Sequence, residues 1–580
     1  MAKMDRLICA EMTTGDSGSI PFSCSVRSSA WSPVLRHNLS FLSILTCNSG
    51  ILLLHKRQNK WVTLDRQQDY MRKTLRDKRQ DDLLSEVKSY EQLKSHFYRI
   101  GITALTWTAP DAADEFTFLI TGSKSGSFFF WRLSVSEERG GDAVRLDLRH
   151  EWDSGLGHVT RLNFFSDYLL IGTHSGQVVA VNLSPLYSAG DVELRPLFVW
   201  EEKDDLSADH FLTYKLPSEN SFLIVLAKGT FLVLLRLPVG GEEAGPDKVV
   251  VVQGRQGMPV TAMCDSVAED GWPIACLISS ADGLLTRVRL PADPFAAPAA
   301  GMQQEEVTVE GLLRSRSAIY GLTSSPSRVF TAALQTIIPY RDISIMREGS
   351  ILLIFPNVSF AHTAHWLSSQ EERADHSPAQ AIEYVMAYRS FLDKGEPYDM
   401  DFLKSDLTTK SLPSLKVTRH KILAVRDSLA KDGDKHPSHA ALLADALISI
   451  DQLLFQQYVL QHDISSGRSA AQSPEQRESV ALMRLWSKKT GNKSTSAAAG
   501  SRRSSTQSAA ASTPCPICCK ALPLHQPNPV CPDGHVFSRC SSSLLVCDPA
   551  SCQIDCCSFC HRCYRVPPVW EMKHPCIFCY

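Results

Sequence analysis

The chain contains no long apolar run. None of its 580 residues falls in an uninterrupted hydrophobic stretch of the roughly 18–20 residues that span a bilayer, so the sequence predicts no membrane-spanning helix. The opening MAKMDRLICAEMTTGDSGSIPF lacks the continuous apolar core of a secretory signal. Charge imbalance is absent too. Lys plus Arg is 60 and Asp plus Glu is 62, a net charge of −2, which removes the bulk basicity that marks a nucleic-acid binder. Cysteine is scarce over most of the length. Cys9, Cys24, Cys47, Cys264 and Cys276 are scattered and read as small buried hydrophobes. Without a leader, the expected compartment is reducing, cytosolic or nuclear. Clustered cysteines there read as metal ligands rather than disulfides. Two local absences mark boundaries. Residues 65–98 hold neither Pro nor Gly, and residues 490–513 hold neither acid nor aromatic.

The other thirteen cysteines lie in the last stretch, 514–580: Cys515, Cys518, Cys519, Cys531, Cys540, Cys547, Cys552, Cys556, Cys557, Cys560, Cys563, Cys576 and Cys579. Cys515/Cys518, Cys560/Cys563 and Cys576/Cys579 have C-x2-C spacing, which lets one tight turn aim two thiolates at one ion. The usual occupant is tetrahedral Zn²⁺ at about 2.3 Å from each sulfur. A segment this short and this poor in apolar runs does not fold on burial alone, and metal binding supplies the missing stability. Between the pairs, Cys531-x3-His535-x4-Cys540 gives the series the rhythm of a RING-type cross-brace, in which alternate ligand pairs share a metal. The candidate ligands are Cys515, Cys518, Cys531, His535, Cys540, Cys547, Cys560, Cys563, Cys576 and Cys579, for two structural Zn²⁺ ions. Cross-brace logic groups Cys531, His535, Cys576 and Cys579. It groups Cys515, Cys518 and Cys540 with one of Cys547, Cys556, Cys560 or Cys563. The number of thiols also allows a third site. Cys519, Cys552 and Cys557 read as spare thiols, and His525, His561 and His574 as surface residues. Enough thiolates are present to fill every position, which points to structural rather than hydrolytic zinc. Five Lys/Arg against four acids in this stretch do not favour tight DNA binding, so any DNA contact is expected to be indirect.

The first half repeats one pattern, two β-rich runs flanking a polar turn with glycine. It recurs at 41–56, 116–133, 168–183, 222–237 and 275–290, with turn glycines Gly50, Gly126, Gly176, Gly229 and Gly283. Glycine permits the positive φ that tight hairpins need. Each hairpin follows another short strand, as in ITALTW (102–107) and VTRLNFF (159–165). Three or four strands at intervals near 50 residues match propeller blades. A weaker sixth unit covers 319–337. The longer first interval is explained by 65–98, a highly charged segment that reads as an inserted helix with a solvated face. Five or six blades are visible, and the chain begins inside one. The expectation is a WD40-like propeller that is N-terminally truncated or completed by a partner.

Helical periodicity takes over after about residue 345, at 377–395, 411–433, 436–463 and 474–489. The expected organisation is a multidomain chain. A β-propeller occupies 1–345 with its helical insertion at 65–98. A small α-helical domain follows at 346–489, then a disordered linker at 490–513 and a RING-like zinc-binding module at 514–580.

Three motifs carry a family resemblance: Cys515-Pro516-Ile517-Cys518, Gly534-His535 with Arg539-Cys540, and Pro575-Cys576-Ile577-Phe578-Cys579. Together with SSAWSPV (28–34), the following hairpin, NKWVTL (59–64) and the charged segment, they resemble the 90 kDa-type subunits of general transcription factor IIIC. Phe537 stands where that family tends to place Trp, and the family usually begins with a further blade. The resemblance implies a nuclear scaffold subunit. Its partners would be other transcription factor IIIC subunits and the RNA polymerase III machinery, acting at tRNA-type genes. It also implies histone acetyltransferase activity, although no acetyl-CoA-type glycine loop is visible. The alternative expectation is a propeller–RING E3 ubiquitin ligase, with Ile517 at the position that docks an E2.

Overall fold

The computed structural model describes residues 26–580 except 36–38, 48, 58–59, 85–88, 112–114, 139–140, 188–191, 217–220, 239–245, 270–271, 297–301, 313–316, 338–350, 370–377, 399, 401–402, 404–406, 408–409, 432–436, 462–474, 476–477, 480–481, 483–512, 523–528, 542, 544, 548–552, 558–561, 567–575 and 577–580. The N-terminal part is a six-bladed β-propeller. Blade 1 is the sheet β1–β4 (Val26–Trp31, Phe41–Thr46, Ile51–Arg57, Lys60–Thr63), and blade 2 is β5–β8 (Ile102–Trp107, Phe116–Ser123, Ser127–Glu138, Gly141–Asp153). Blade 3 is β9–β12 (Val159–Phe165, Tyr168–Thr173, Val178–Asn182, Pro196–Trp200). Blade 4 is β13–β16 (Phe211–Leu216, Ser221–Lys228, Phe231–Pro238, Lys248–Gln253), and blade 5 is β17–β20 (Val260–Ser266, Ile274–Ser280, Leu285–Leu290, Gln303–Glu306). Blade 6 has three strands, β21–β23 (Ser317–Ser324, Phe330–Ile337, Ile351–Pro356), and so runs past the expected end at 345.

The middle strands explain why the blades read as unbroken apolar runs. Side chains alternate across a strand, so a sheet covered on both faces needs apolar residues at every position. In β7, Phe129, Trp131, Leu133 and Val135 pack with blade 1, whereas Phe128 and Phe130 pack with blade 3. In β14, Phe222, Ile224 and Leu226 pack with blade 3, whereas Leu223, Val225 and Ala227 pack with blade 5. Four apolar layers are thus each shared by two consecutive blades, from 1/2 to 4/5. The hairpin turns carry the expected positive φ at Gly126, Gly176, Gly229 and Gly283. At Gly176 (φ 97°) a Cβ would meet Asp204 Oδ1 at 2.0 Å. In blade 1 it is Ser49 (φ 60°), not Gly50, that takes the left-handed conformation.

A second repeat joins the blades at their first strands. Each of β1, β5, β9 and β17 carries a bulge at its start, leaving one residue unpaired with the next strand: Arg27, Thr103, Thr160 and Thr261. A bulge re-aims its side chain. Thr103 Oγ1 donates to Val159 O of blade 3 (2.5 Å), Thr160 Oγ1 to Ala208 O at the entry to blade 4 (3.1 Å), and Thr261 Oγ1 to Ile319 O of blade 6. Arg27 holds the same place in blade 1.

The charged insertion forms two helices, α1 (Asp65–Leu84) and α2 (Tyr90–Ile100), where one was expected. Ser89 opens α2 by accepting from the Gln92 N–H (3.2 Å), a conventional N-cap. One side of α1 is not solvated. Met71 is buried in the layer shared by blades 1 and 2, and Gln68 Nε2 donates to Leu53 O (3.1 Å).

After the propeller come α3 (Phe360–Ser369), α4 (Pro378–Leu392), α5 (Leu412–Lys431) and α6 (Pro437–Gln461), each packed on the next. Helix α3 was not expected from periodicity. Trp366 of α3 stacks on Tyr384 of α4, with ring centroids 3.9 Å apart. Of the expected helix at 474–489, four described residues (Glu475, Glu478, Ser479 and Leu482) are helical. No helix among the described residues is long and apolar enough to cross a membrane.

Candidate metal centre

Two tight turns build the centre. In the first, β24 (Thr513–Pro514) pairs with β25 (Ala521–Leu522), and the intervening knuckle carries Cys515 and Cys518. It is closed by Cys515 N–H to Lys520 O (2.7 Å) and Cys519 N–H to Cys515 O (2.9 Å), with Cys519 at positive φ (57°). In the second, a bridge between Val530 and Val536 closes a turn carrying Cys531 and His535. Gly534 supplies its left-handed residue (φ 84°), and the Cys531 N–H bonds His535 O (2.9 Å). Lys520 of the first turn pairs with Asp533 of the second.

The turns bring Cys515, Cys518 and Cys531 sulfurs and a His535 ring nitrogen within 4.8 Å of one another. Cys518 Sγ lies 3.6 Å from Cys531 Sγ. His535 Nδ1 lies 3.7 Å from Cys515 Sγ and 3.3 Å from Cys531 Sγ. A zinc tetrahedron with legs near 2.3 Å has edges of roughly 3.8 Å between sulfurs, so the donor set fits a tetrahedral ion of that size. Burial acts to push the Cys515 thiol up, but the backbone N–H groups of Cys518 and Ile517 and the adjoining thiols hold it below its ordinary value. At Cys531 burial is likewise outweighed by the N–H groups of His535 and Asp533. Cys518 shows the opposite. Despite the Lys520 N–H, burial and the neighbours Cys515, Cys531 and Asp533 push it up to about 12. Three thiols this close cannot all ionise unless a cation joins them. The apolar support is small: Leu522 and Val546 with the partly buried Phe537.

Among the described residues this grouping differs from the cross-brace expectation: Cys531 and His535 stand with Cys515 and Cys518 rather than with Cys576. The two turns are neighbours in sequence and close on each other through Lys520–Asp533, which is what brings consecutive pairs together. The other described candidates lie elsewhere in the module. Cys540 and Cys547 are buried at the short strand pair β26/β27 (Ser538–Arg539, Val546–Cys547). Cys556 and Cys563 face each other across β28/β29 (Gln553–Cys556, Cys563–Val566), sulfurs 3.2 Å apart, and the Cys563 thiol heads the causes that push Cys556 up to about 11. Cys557 and Cys576 are buried, and Cys519 is exposed. Cys552, Cys560, Cys579, His525, His561 and His574 lie outside the described residues, as does the expected linker up to 512.

Sequence reasoning missed how the module is held. Arg562 bonds Asp451 of α6, whose other oxygen accepts from the buried Arg419 Nε of α5 (2.6 Å). Arg565 reaches Glu475 Oε1 (2.9 Å) and Val546 O (2.8 Å), and Ser479 Oγ donates to Ser543 O (2.8 Å). The module is therefore docked on the helices, not merely tethered. A pair of arginines in a cysteine-rich segment was the only available hint.

Comparison with known proteins bears on the propeller. The family model described as the transcription factor IIIC subunit delta β-propeller domain matches residues 3–356, which end with the last strand of blade 6. Among solved structures, the WD40 β-propeller domain of Doa1 is similar at 12% identity, over 57% of this chain and 88% of that one, with a TM-score of 0.28. No curated protein matches. The residues matched make up more than half of the chain and comprise all six blades: the protein belongs to the transcription factor IIIC subunit delta propeller family.

Proposed function

We propose that the chain is a scaffold subunit of the nuclear transcription factor IIIC complex, supporting RNA polymerase III transcription of tRNA-type genes by protein–protein contact. The family match across 3–356 carries this proposal. The terminal module contributes a contact face. Ile517, Val530 and Val536, each beside a donor of the Cys/His cluster in sequence, are exposed apolar side chains, Ile517 at 65%. In this proposal Cys515, Cys518, Cys531 and His535 hold one Zn²⁺ that is purely structural, since four protein donors leave no open position. A second Zn²⁺ draws on Cys540, Cys547, Cys556, Cys560, Cys563, Cys576 and Cys579. Affinity purification of the full chain from nuclear extract, with mass-spectrometric identification, is expected to recover transcription factor IIIC subunits. Their consistent absence would refute the scaffold role. Exposed Ile517 also occupies the E2-docking position of a RING, although consecutive rather than alternate ligand pairing departs from a cross-brace. Ubiquitin discharge from a charged E2 by the full chain separates that second activity from the first. Acetyl-CoA binding by the full chain does the same for acetyl transfer.

A further inference from the structure

The first strands of blades 1, 2 and 3 and the entry to blade 4 line a half-open cavity of about 390 Å³. Its charged and titratable lining is Arg27, His158, Arg161, His174, Asp209 and His210. Among the described residues, two guanidiniums and three imidazoles thus face a single carboxylate. Neither the Arg27 nor the Arg161 side chain has a hydrogen bond among the described residues, and Asp209 already accepts from Ser207 Oγ (2.6 Å). Arg161 is solvent-exposed and lines the cavity. Burial lowers its pKa, against the opposing charge of Asp209. Burial and then the Arg161 charge bring His210 down to about 4. At His158, burial followed by the charges of Arg27, His174 and Lys124 does the same in direction. Both imidazoles are thus biased towards the neutral form, and the buried Nε2 of His158 has no partner among the described residues. The bulge position that other blades use for a threonine clasp is given in blade 1 to Arg27, whose side chain lines the cavity instead of joining two blades.

We infer that this cavity binds a carboxylate-bearing segment of a protein partner, with Arg27 and Arg161 as the forks that hold the carboxylates and His158 as an additional hydrogen-bonding group. Arginine forks match planar oxyanions, and partial enclosure strengthens the attraction. Size and lining favour a peptide over a free anion. The volume far exceeds that of one oxyanion, and Ala104, Leu105 and Leu162 form part of the wall. Among the described lining residues there is no Phe, Tyr or Trp, which leaves only imidazoles and guanidiniums to stack on bases, so oligo-dT is the competitor that the test includes.

The test uses the full chain and a fluorescein-labelled poly-glutamate peptide, read by anisotropy at low salt. Saturable binding is expected. R27Q and R161Q together should weaken it about tenfold, the loss of a charge-assisted bond. D209N, which removes the opposing carboxylate, should tighten it, a gain that misfolding cannot imitate. Three results would overturn the inference: no saturable binding, binding unchanged in all these variants, or an oligo-dT strand or inorganic phosphate that binds as tightly as the peptide.

Discussion

The propeller and the cysteine-rich module solve the same problem with opposite means. Each pair of neighbouring blades from 1 to 5 shares a layer of more than a dozen buried apolar side chains. The module's one described apolar cluster has four buried members, two of them cysteines that also belong to the metal centre. At about 25 cal/mol per Å² of buried apolar surface, the first arrangement supports itself. The second is left with ligation and with ion pairs to the helices. A strand buried on both faces can be stabilised anywhere along its length, whereas a knuckle is stabilised at one point.

The comparison is broken most severely by removing that point. Stripping the full chain with a chelator, or substituting C531S, should abolish amide protection across 513–547. Structural zinc contributes on the order of 10 kcal/mol to such folds. Hydrogen exchange in β7 and β14 should not change. Equal loss of protection in both regions would mean that the module is not a separate metal-dependent unit. Within the propeller, W131A removes a fully buried ring that also donates to Thr121 Oγ1 (3.1 Å). It should cost about 4 kcal/mol in urea denaturation followed through the propeller. D451A leaves Arg419 and Arg562 without their shared carboxylate and should cost about 3 kcal/mol. Limited proteolysis should then release the terminal module, and an unchanged digestion pattern would show that the Arg565–Glu475 and Ser479–Ser543 bonds suffice. The smallest effect, about 1 kcal/mol, is expected for T103V, which deletes one clasp between blades 2 and 3 at nearly constant volume. A null result would mark the clasp as a consequence of the bulge rather than a support.

Blades were legible because their signals are local. The turn glycines and the paired apolar runs repeat, and neither signal needs knowledge of the neighbour. The helices α4 to α6 were legible for the same reason. Helix α3, FAHTAHWLSS, was not, since its histidines and threonine hide the apolar face. The donors of the metal centre were readable from spacing, but their grouping was not. Which pairs converge depends on how two knuckles approach each other, and Lys520–Asp533 gives no spacing signal. The bulge threonines stood in plain view as Ile102-Thr103, Val159-Thr160 and Val260-Thr261. Their use became apparent only once the next blade's carbonyls were in place.

The shared layers also bear on how the propeller is made. A sheet that leaves the ribosome before its successor carries one apolar layer with nothing to lie against until about 50 more residues have been synthesised. From blade 1 to blade 5 the same exposed layer is thus re-created at each step, covered by the next blade and passed forward. The growing end remains adhesive throughout translation, and it is there that a chaperone or a premature partner would find its hold.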